Sequence, residues 1–323
     1  AGNTASASIA AYTLTKTQGT GTTLTIVENV TSGATLNTGA IVLNGTSIKL
    51  TATLNTGYSN LVAKVGGSAV TLTSNSYTFT MNGNKAVETS ATAIATTISA
   101  SATTVSLKFS PSEQTVATIT AAGGGGKWTY SLTGTNADKF SLSSTAATTG
   151  AVTLKLNAGV AVGSYKVQVK ATSSYNGTSA TTSEITVTVS NAGLTGSVAI
   201  SGTVQYAETL SATVTGQISG TSLSYAWYSN SSNSLTGGTA ISGATSSTYK
   251  IGKGLVGKYI YVVVTMSKAN YTTSAISAIA SSAVSARAIT ISAITPSATV
   301  TKVYDGNTTV KQTFTATLSG VLS

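Results

Sequence analysis

The chain has 323 residues, a net charge of +10 and only 7% charged residues, with no Cys and no His. An ordinary soluble domain carries about 25% charged residues; here Ser and Thr together supply about a third of the chain. These absences exclude a Ser-His-Asp triad, a Cys nucleophile, a zinc finger and any thiolate metal site.

Seven acidic residues are spread along the whole length, at Glu28, Glu88, Glu113, Asp138, Glu184, Glu208 and Asp305. A pair of catalytic carboxylates could arise only by long-range convergence. The expectation is therefore no enzyme, no metal and no cofactor. At about 100–200 residues per domain, the length predicts two to four domains. Apolar runs are short, as in Tyr261-Val262-Val263-Val264, so no membrane span is expected.

Residues 1–22 read as a polar leader. Within it, Tyr12-Thr13-Leu14-Thr15 forms a strand candidate with no partner nearby, available for exchange into another subunit. The Ala1 start is what removal of a secretion signal would leave, and equally what a cut within a longer chain would leave. Residues 23–97 read as a first small β domain. Ile48, Leu50, Ala52 and Leu54 alternate there with Lys49, Thr51 and Thr53, which places one face in a core and the other in water. Turns are expected at Val65-Gly66-Gly67-Ser68 and Met81-Asn82-Gly83-Asn84.

Residues 98–191 read as a second β domain. Trp128, Tyr130 and Leu132 keep the same period, as do Val167, Val169 and Ala171, then Ile185, Val187 and Val189. Gly123 to Gly126 lack the Lys-Ser/Thr and the strand-to-helix context of a phosphate loop, so they are expected to form a flexible hairpin connection. Residues 192–286 read as a third domain. Ile276 to Ala288 is Ala-rich, but Ser interrupts it and no helix face is consistent, so it is read as a final strand and a linker. Residues 287–323 begin a fourth segment. Boundaries are expected at Asn191-Ala192-Gly193 and near Arg287.

The positive charge is almost all Lys; Arg287 is the one Arg. Nucleic-acid readers rely on clustered basic residues and on Arg for bidentate contacts, so no nucleic-acid partner is expected. Scattered Lys suit solubility and the protection of sheet edges. The sharper alternative is attraction to acidic cell-wall polymers or glycans. Asn29, Asn44, Asn176, Asn230, Asn270 and Asn307 each begin an Asn-x-Ser/Thr sequon and are candidate glycosylation sites. Lys155 or Lys166 with Asp138 or Glu184 are the groups considered for an intramolecular isopeptide bond.

Four segments resemble modules of bacterial surface proteins. In the third, Ser224-Tyr225-Ala226-Trp227-Tyr228, Ile241 to Tyr249 and Val256 to Thr265 resemble a bacterial immunoglobulin-like module. The resemblance implies that Trp227 is a core residue on the third strand. It implies a structural core role for Tyr259 at the tyrosine corner, two residues before a usual Cys position that Tyr261 fills here. In the second, Ala137 to Leu142, Thr149 to Val152 and Tyr165 to Ala171 resemble a cadherin-like sandwich. Trp128, like Trp227, is read as a core anchor, with a sugar-stacking platform as the alternative. Ser173 stands where that family has an Asp, so no calcium is expected.

The first segment is similar to the internalin B-type repeat through Gly57-Tyr58, Val65-Gly66-Gly67 and Tyr77 to Met81. Lys302 to Thr309 and Leu318 to Leu322 resemble the start of a YDG-type adhesin module, which stops part-way. Together these imply an all-β chain of tandem antiparallel Ig-like sandwiches at a bacterial cell surface. The expected function is a structural subunit of a filament or surface layer that self-assembles as a homopolymer. The alternatives are the stalk of a longer adhesin or wall-bound enzyme, and a set of glycan-binding modules using Tyr228, Tyr249 or Tyr271.

Overall fold

A computed structural model describes residues 8–30, 33–288, 290–296 and 314–319. The motif at 302–309 and Asn307 lie outside the described residues. The chain divides into two compact units, residues 1–190 and 191–323. The described residues are strands joined by turns, with two single-turn 3-10 segments at Ala137–Lys139 and Lys253–Leu255. Thr is the commonest strand residue, and with Val and Ile it supplies β-branched side chains whose restricted χ1 suits a pleated surface.

The first unit holds two sandwiches. The first module contains β1 (Ala11–Gln18), β2 (Thr22–Glu28), β3 (Ala40–Leu43), β4 (Ser47–Leu54), β5 (Tyr58–Val65), β6 (Ser68–Val70), β7 (Ser76–Thr80) and β8 (Lys85–Ala93). One sheet runs β3-β1-β8-β5-β6 and the other β2-β4-β7. Gly66 and Gly67 make the two-residue turn from β5 to β6, both at positive φ (59° and 84°). That conformation matches the twist of the flanking strands and costs Gly little.

The expected free leader strand is not free. β1 pairs parallel with β8, Leu14 opposite Lys85 through Gln18 opposite Thr89, and antiparallel with β3. Leu14 is completely buried among Leu24, Ile26, Val42, Ile48 and Leu50. The first module therefore starts near residue 11 rather than 23. Its partner β8 lies some seventy residues away in sequence, and no local pattern announces such a pairing.

The second module contains β9 (Thr96–Ala100), β10 (Thr104–Lys108), β11 (Gln114–Gly123), β12 (Trp128–Thr133), β13 (Phe140–Leu142), β14 (Val152–Leu156), β15 (Gly163–Ser173), β16 (Ser179–Thr181) and β17 (Ile185–Ser190). Its sheets run β13-β14-β11-β9 and β10-β17-β15-β12, with β16 hairpinned on β15. This is the two-sheet strand order of an immunoglobulin sandwich, with the first strand split between the sheets. The second half of that split strand, β10, pairs parallel with β17 over five residues. Ile119, Leu154, Val167, Val169, Ile185 and Val187 fill the space between the sheets.

The second unit holds the third module. It contains β18 (Ala192–Gly193), β19 (Ser197–Ser201), β20 (Thr209–Thr215), β21 (Ser222–Asn230), β22 (Thr239–Ala240), β23 (Thr248–Lys250), β24 (Tyr259–Ser267), β25 (Tyr271–Thr272) and β26 (Ser274–Ile279). Sheets β19-β20-β23 and β22-β21-β24-β26 again give an Ig-like order. The Ala-rich stretch is β26 followed by irregular chain to residue 288. In the same unit, β27 (Thr290–Pro296) and β28 (Phe314–Ser319) form an antiparallel pair. The fold is thus all-β, in tandem antiparallel Ig-like sandwiches.

Candidate functional site

A cluster of polar groups in the first unit lies where its two modules meet. Only Ile94 and Ala95 separate β8 from β9. The Asn176 side chain, in the loop between β15 and β16, donates to Gly57 O at 2.6 Å and to Ile94 O at 2.8 Å. Gly57 belongs to the β4–β5 turn of the first module, so the bond to it bridges modules across 119 positions of sequence. The Ile94 N–H also donates to Gly57 O.

Asn176 is itself held in place. Its Oδ1 accepts from the Thr178 N–H at 3.0 Å and lies 2.7 Å from Thr178 Oγ1. The Thr178 hydroxyl has one proton and three oxygens in reach: Asn176 Oδ1, Ile94 O at 3.1 Å and Thr96 Oγ1 at 2.9 Å. Ser173, buried at the end of β15, donates to Gly124 O and accepts from the N–H groups of Tyr175 and Asn176. Its hydroxyl ties two loops together.

The glycine run is not a loose connection. It joins β11 to β12, and a Cβ on Gly125 would sit 2.9 Å from both N and Cα of Gly57. A Cβ on Gly124 would sit 2.6 Å from Thr96 Oγ1. The two backbones meet at a distance that excludes any side chain. Sequence reading missed this joint because Gly57, Gly125 and Asn176 are far apart in the chain. The signals present were a Gly-Tyr pair, an uninterrupted Gly run and an Asn-Gly-Thr sequon.

Trp128 and Trp227 each lie in a sandwich core, but their N–H groups differ. Trp227 Nε1 donates to Ser246 O at 2.9 Å, and its ring packs 5.7 Å from that of Tyr249. Trp128 Nε1 is buried with no hydrogen-bond partner among the described residues. An unsatisfied buried donor costs about 1–3 kcal/mol. Trp227→Phe is therefore expected to lower stability by about 2–3 kcal/mol, since it loses both volume and a bond. Trp128→Phe is expected to cost less than about 1 kcal/mol, because losing the orphan donor offsets the lost volume. Urea unfolding followed by circular dichroism checks the contrast; equal losses at both sites contradict it.

Tyr259 departs from its expected core role. On β24, Ile260, Val262, Val264 and Met266 are buried and belong to the inward face, while Tyr259 is half-buried on the other. The resemblance aligned Tyr259 and Tyr261 to inward positions, which is one residue out of register. With a period of two, such a slip exchanges the faces. Tyr261 is covered from outside: it stacks on Tyr228 at 4.9 Å, and a Cβ on Gly238 would strike its ring.

The sequon asparagines sit in different settings. Asn44 is exposed at the turn after β3. Asn29 is exposed and donates to Ser47 Oγ. Asn230 is buried, with its amide bonded to Ser234 O and Thr236 O. Asn270 is half-buried at φ 67°. Tyr249 packs on Trp227 and Tyr271 lies under Lys268 Nζ, so the rings weighed for sugar stacking are engaged within the module.

The Lys side chains weighed for an isopeptide bond form exposed ion pairs, Lys155 with Glu113 at 2.8 Å and Lys166 with Glu184 at 2.7 Å. The hydrogen bond from Lys155, then that from Ser141, holds the Glu113 carboxyl below its ordinary range. Exposed pairs of this kind add little stability. No group of three or more potential metal-ligating side chains occurs among the described residues. No described helix is long and apolar enough to cross a membrane.

No protein-family model and no curated protein sequence matches this chain. Solved structures similar to it are strings of β-sandwich domains. A stretch of titin domains aligns at 9% identity over 75% of this chain and 94% of its own, with a TM-score of 0.25. Three N-terminal domains of the bacteriophage RB49 outer capsid protein Hoc align at 13% identity, over 75% and 95%, with a TM-score of 0.24. The N-terminal Ig domains of the Down syndrome cell adhesion molecule align at 10% identity, over 98% of this chain and 52% of theirs, with a TM-score of 0.21.

Proposed function

We propose that this chain is an extracellular structural protein of a bacterial surface, a tandem-module spacer that carries tension between what lies at its two ends. One observation supports this above the others. In the first module the strand on which the chain enters lies parallel to the strand on which it leaves, β1 beside β8; in the second, the later half of the split entry strand does the same, β10 beside β17. Pulling on the two ends slides such strands past each other. The hydrogen bonds of the pair are then loaded together rather than opened one at a time. Pulling single chains from both ends tests the reading. Modules that unzip progressively at low force do not belong to a load-bearing spacer.

A second reading, a subunit that associates with copies of itself into a homopolymer, is favoured by the open edge of the first module. β3 is an edge strand of four apolar residues, with Ile41 70% and Leu43 52% exposed. Ile9, 66% exposed, precedes its neighbour β1. No charged residue occurs between Glu28 and Lys49, although edges are normally protected by charge. The double variant Ile41→Lys, Leu43→Lys should keep the fold, because both side chains already face solvent. It should abolish concentration-dependent association in sedimentation velocity. Unchanged association removes this edge from the reading.

A further inference from the structure

The joint between the first two modules is spanned by hydrogen bonds and a close backbone approach. The two-residue link Ile94-Ala95 could not by itself fix the angle between two sandwiches, since each residue contributes two soft dihedrals. A bridge outside the link also joins the two modules. The Asn176 amide offers two protons, and both are taken by carbonyls, one on the first module and one on the link. The Asn176 carbonyl oxygen is used by Thr178. Every polar atom of this side chain is therefore committed, and its orientation is set by the bonds it makes. The Gly125–Gly57 contact closes the same joint from the opposite loop.

We propose that Asn176 is the latch that makes modules one and two a single rigid body, and that altering its amide nitrogen turns this body into a hinged pair without unfolding either module. An aspartate in its place brings a carboxylate, which accepts and cannot donate. It would face two carbonyl oxygens that now sit 2.6 and 2.8 Å from the amide nitrogen. Repulsion then replaces two bonds. The same nitrogen is the acceptor atom of the Asn176-Gly177-Thr178 sequon. A glycan attached there replaces one of the two protons, so glycosylation of Asn176 and the closed joint exclude each other. Neither sandwich core includes Asn176, which is why the modules should survive its alteration.

The test uses the full chain. It contains no Cys, so a single pair of introduced cysteines carries spin labels without background. Asn37→Cys and Ser112→Cys place one label on an exposed loop of each module. Pulsed electron paramagnetic resonance should give a narrow distance distribution in the otherwise unaltered chain. Adding Asn176→Asp should abolish the narrow peak in favour of a broad one, with the circular dichroism spectrum unchanged. A narrow distribution that persists in Asn176→Asp overturns the proposal, as does a broad one before the change. Should Asn176→Asp lose its fold, Asn176→Ala replaces it, since it removes the amide and both of its bonds without adding a charge. Broadening then supports the lock and a retained narrow peak overturns it. The readout is a distance, not a force, so it stands or falls separately from the tension-bearing reading.

Discussion

Deleting residues 1–18 unfolds the first module and leaves the second and third folded. The deletion removes β1 whole, and with it Leu14 from the centre of the first core. Replacing a fully buried Leu by Ala alone costs about 2–5 kcal/mol. Losing the strand also strips the parallel partner from β8 and leaves β3 with no strand beside it. Domains are stable by only about 5–15 kcal/mol, so the sum exceeds what a single module can lose. Each tryptophan belongs to another module, Trp128 to the second and Trp227 to the third. Their fluorescence should therefore stay native while strand signal in circular dichroism falls by the share of one module. A deleted chain that keeps its full strand signal would show that β1 is dispensable, as an exchangeable leader should be. Leu14→Ala is the graded version and should lower the urea midpoint of the first module only.

Under tension the third module should yield before the other two. Its parallel contact near the entry point is β18 with β25, two residue pairs long, and a single further bridge joins Gln205 to Ser285. The corresponding pairs in the first and second modules are five residues long. Bonds loaded together share the force, so a five-residue clamp resists more than a two-residue one. Each unfolding event should lengthen the chain by on the order of 250 Å, at 3.3–3.6 Å per extended residue. Module identity is assigned by a disulfide lock. Thr15→Cys with Ala86→Cys spans paired positions on β1 and β8. When oxidised, it should shorten the extension step of the first module and no other. A record in which the shortened step comes first contradicts the expected order.

Much of this architecture is legible along the chain. Alternation at Ile48 to Leu54, Val167 to Ala171 and Ile185 to Val189 names strands with one apolar face, and Gly66-Gly67 names a hairpin. Such patterns are local, because a strand's two faces and a two-residue turn are decided by residues next to each other. The composition alone removes whole classes of chemistry, since no fold can supply a thiolate or an imidazole that the chain lacks.

What the sequence does not reveal is which distant segments meet. Leu14 reads as part of a loose leader until β8, far along the chain, is placed beside it. Tyr259 and Ile260 are neighbours that both read as core candidates, and the register of β24 against β21 decides which of them enters the core. Asn176 looks like any other sequon. It becomes a latch because the β4–β5 turn brings a carbonyl within 2.6 Å of its amide. Local pattern determined the strands and their faces. Tertiary structure alone decided the pairings, the register and the joint, because each depends on contacts between residues that nothing in the local sequence relates.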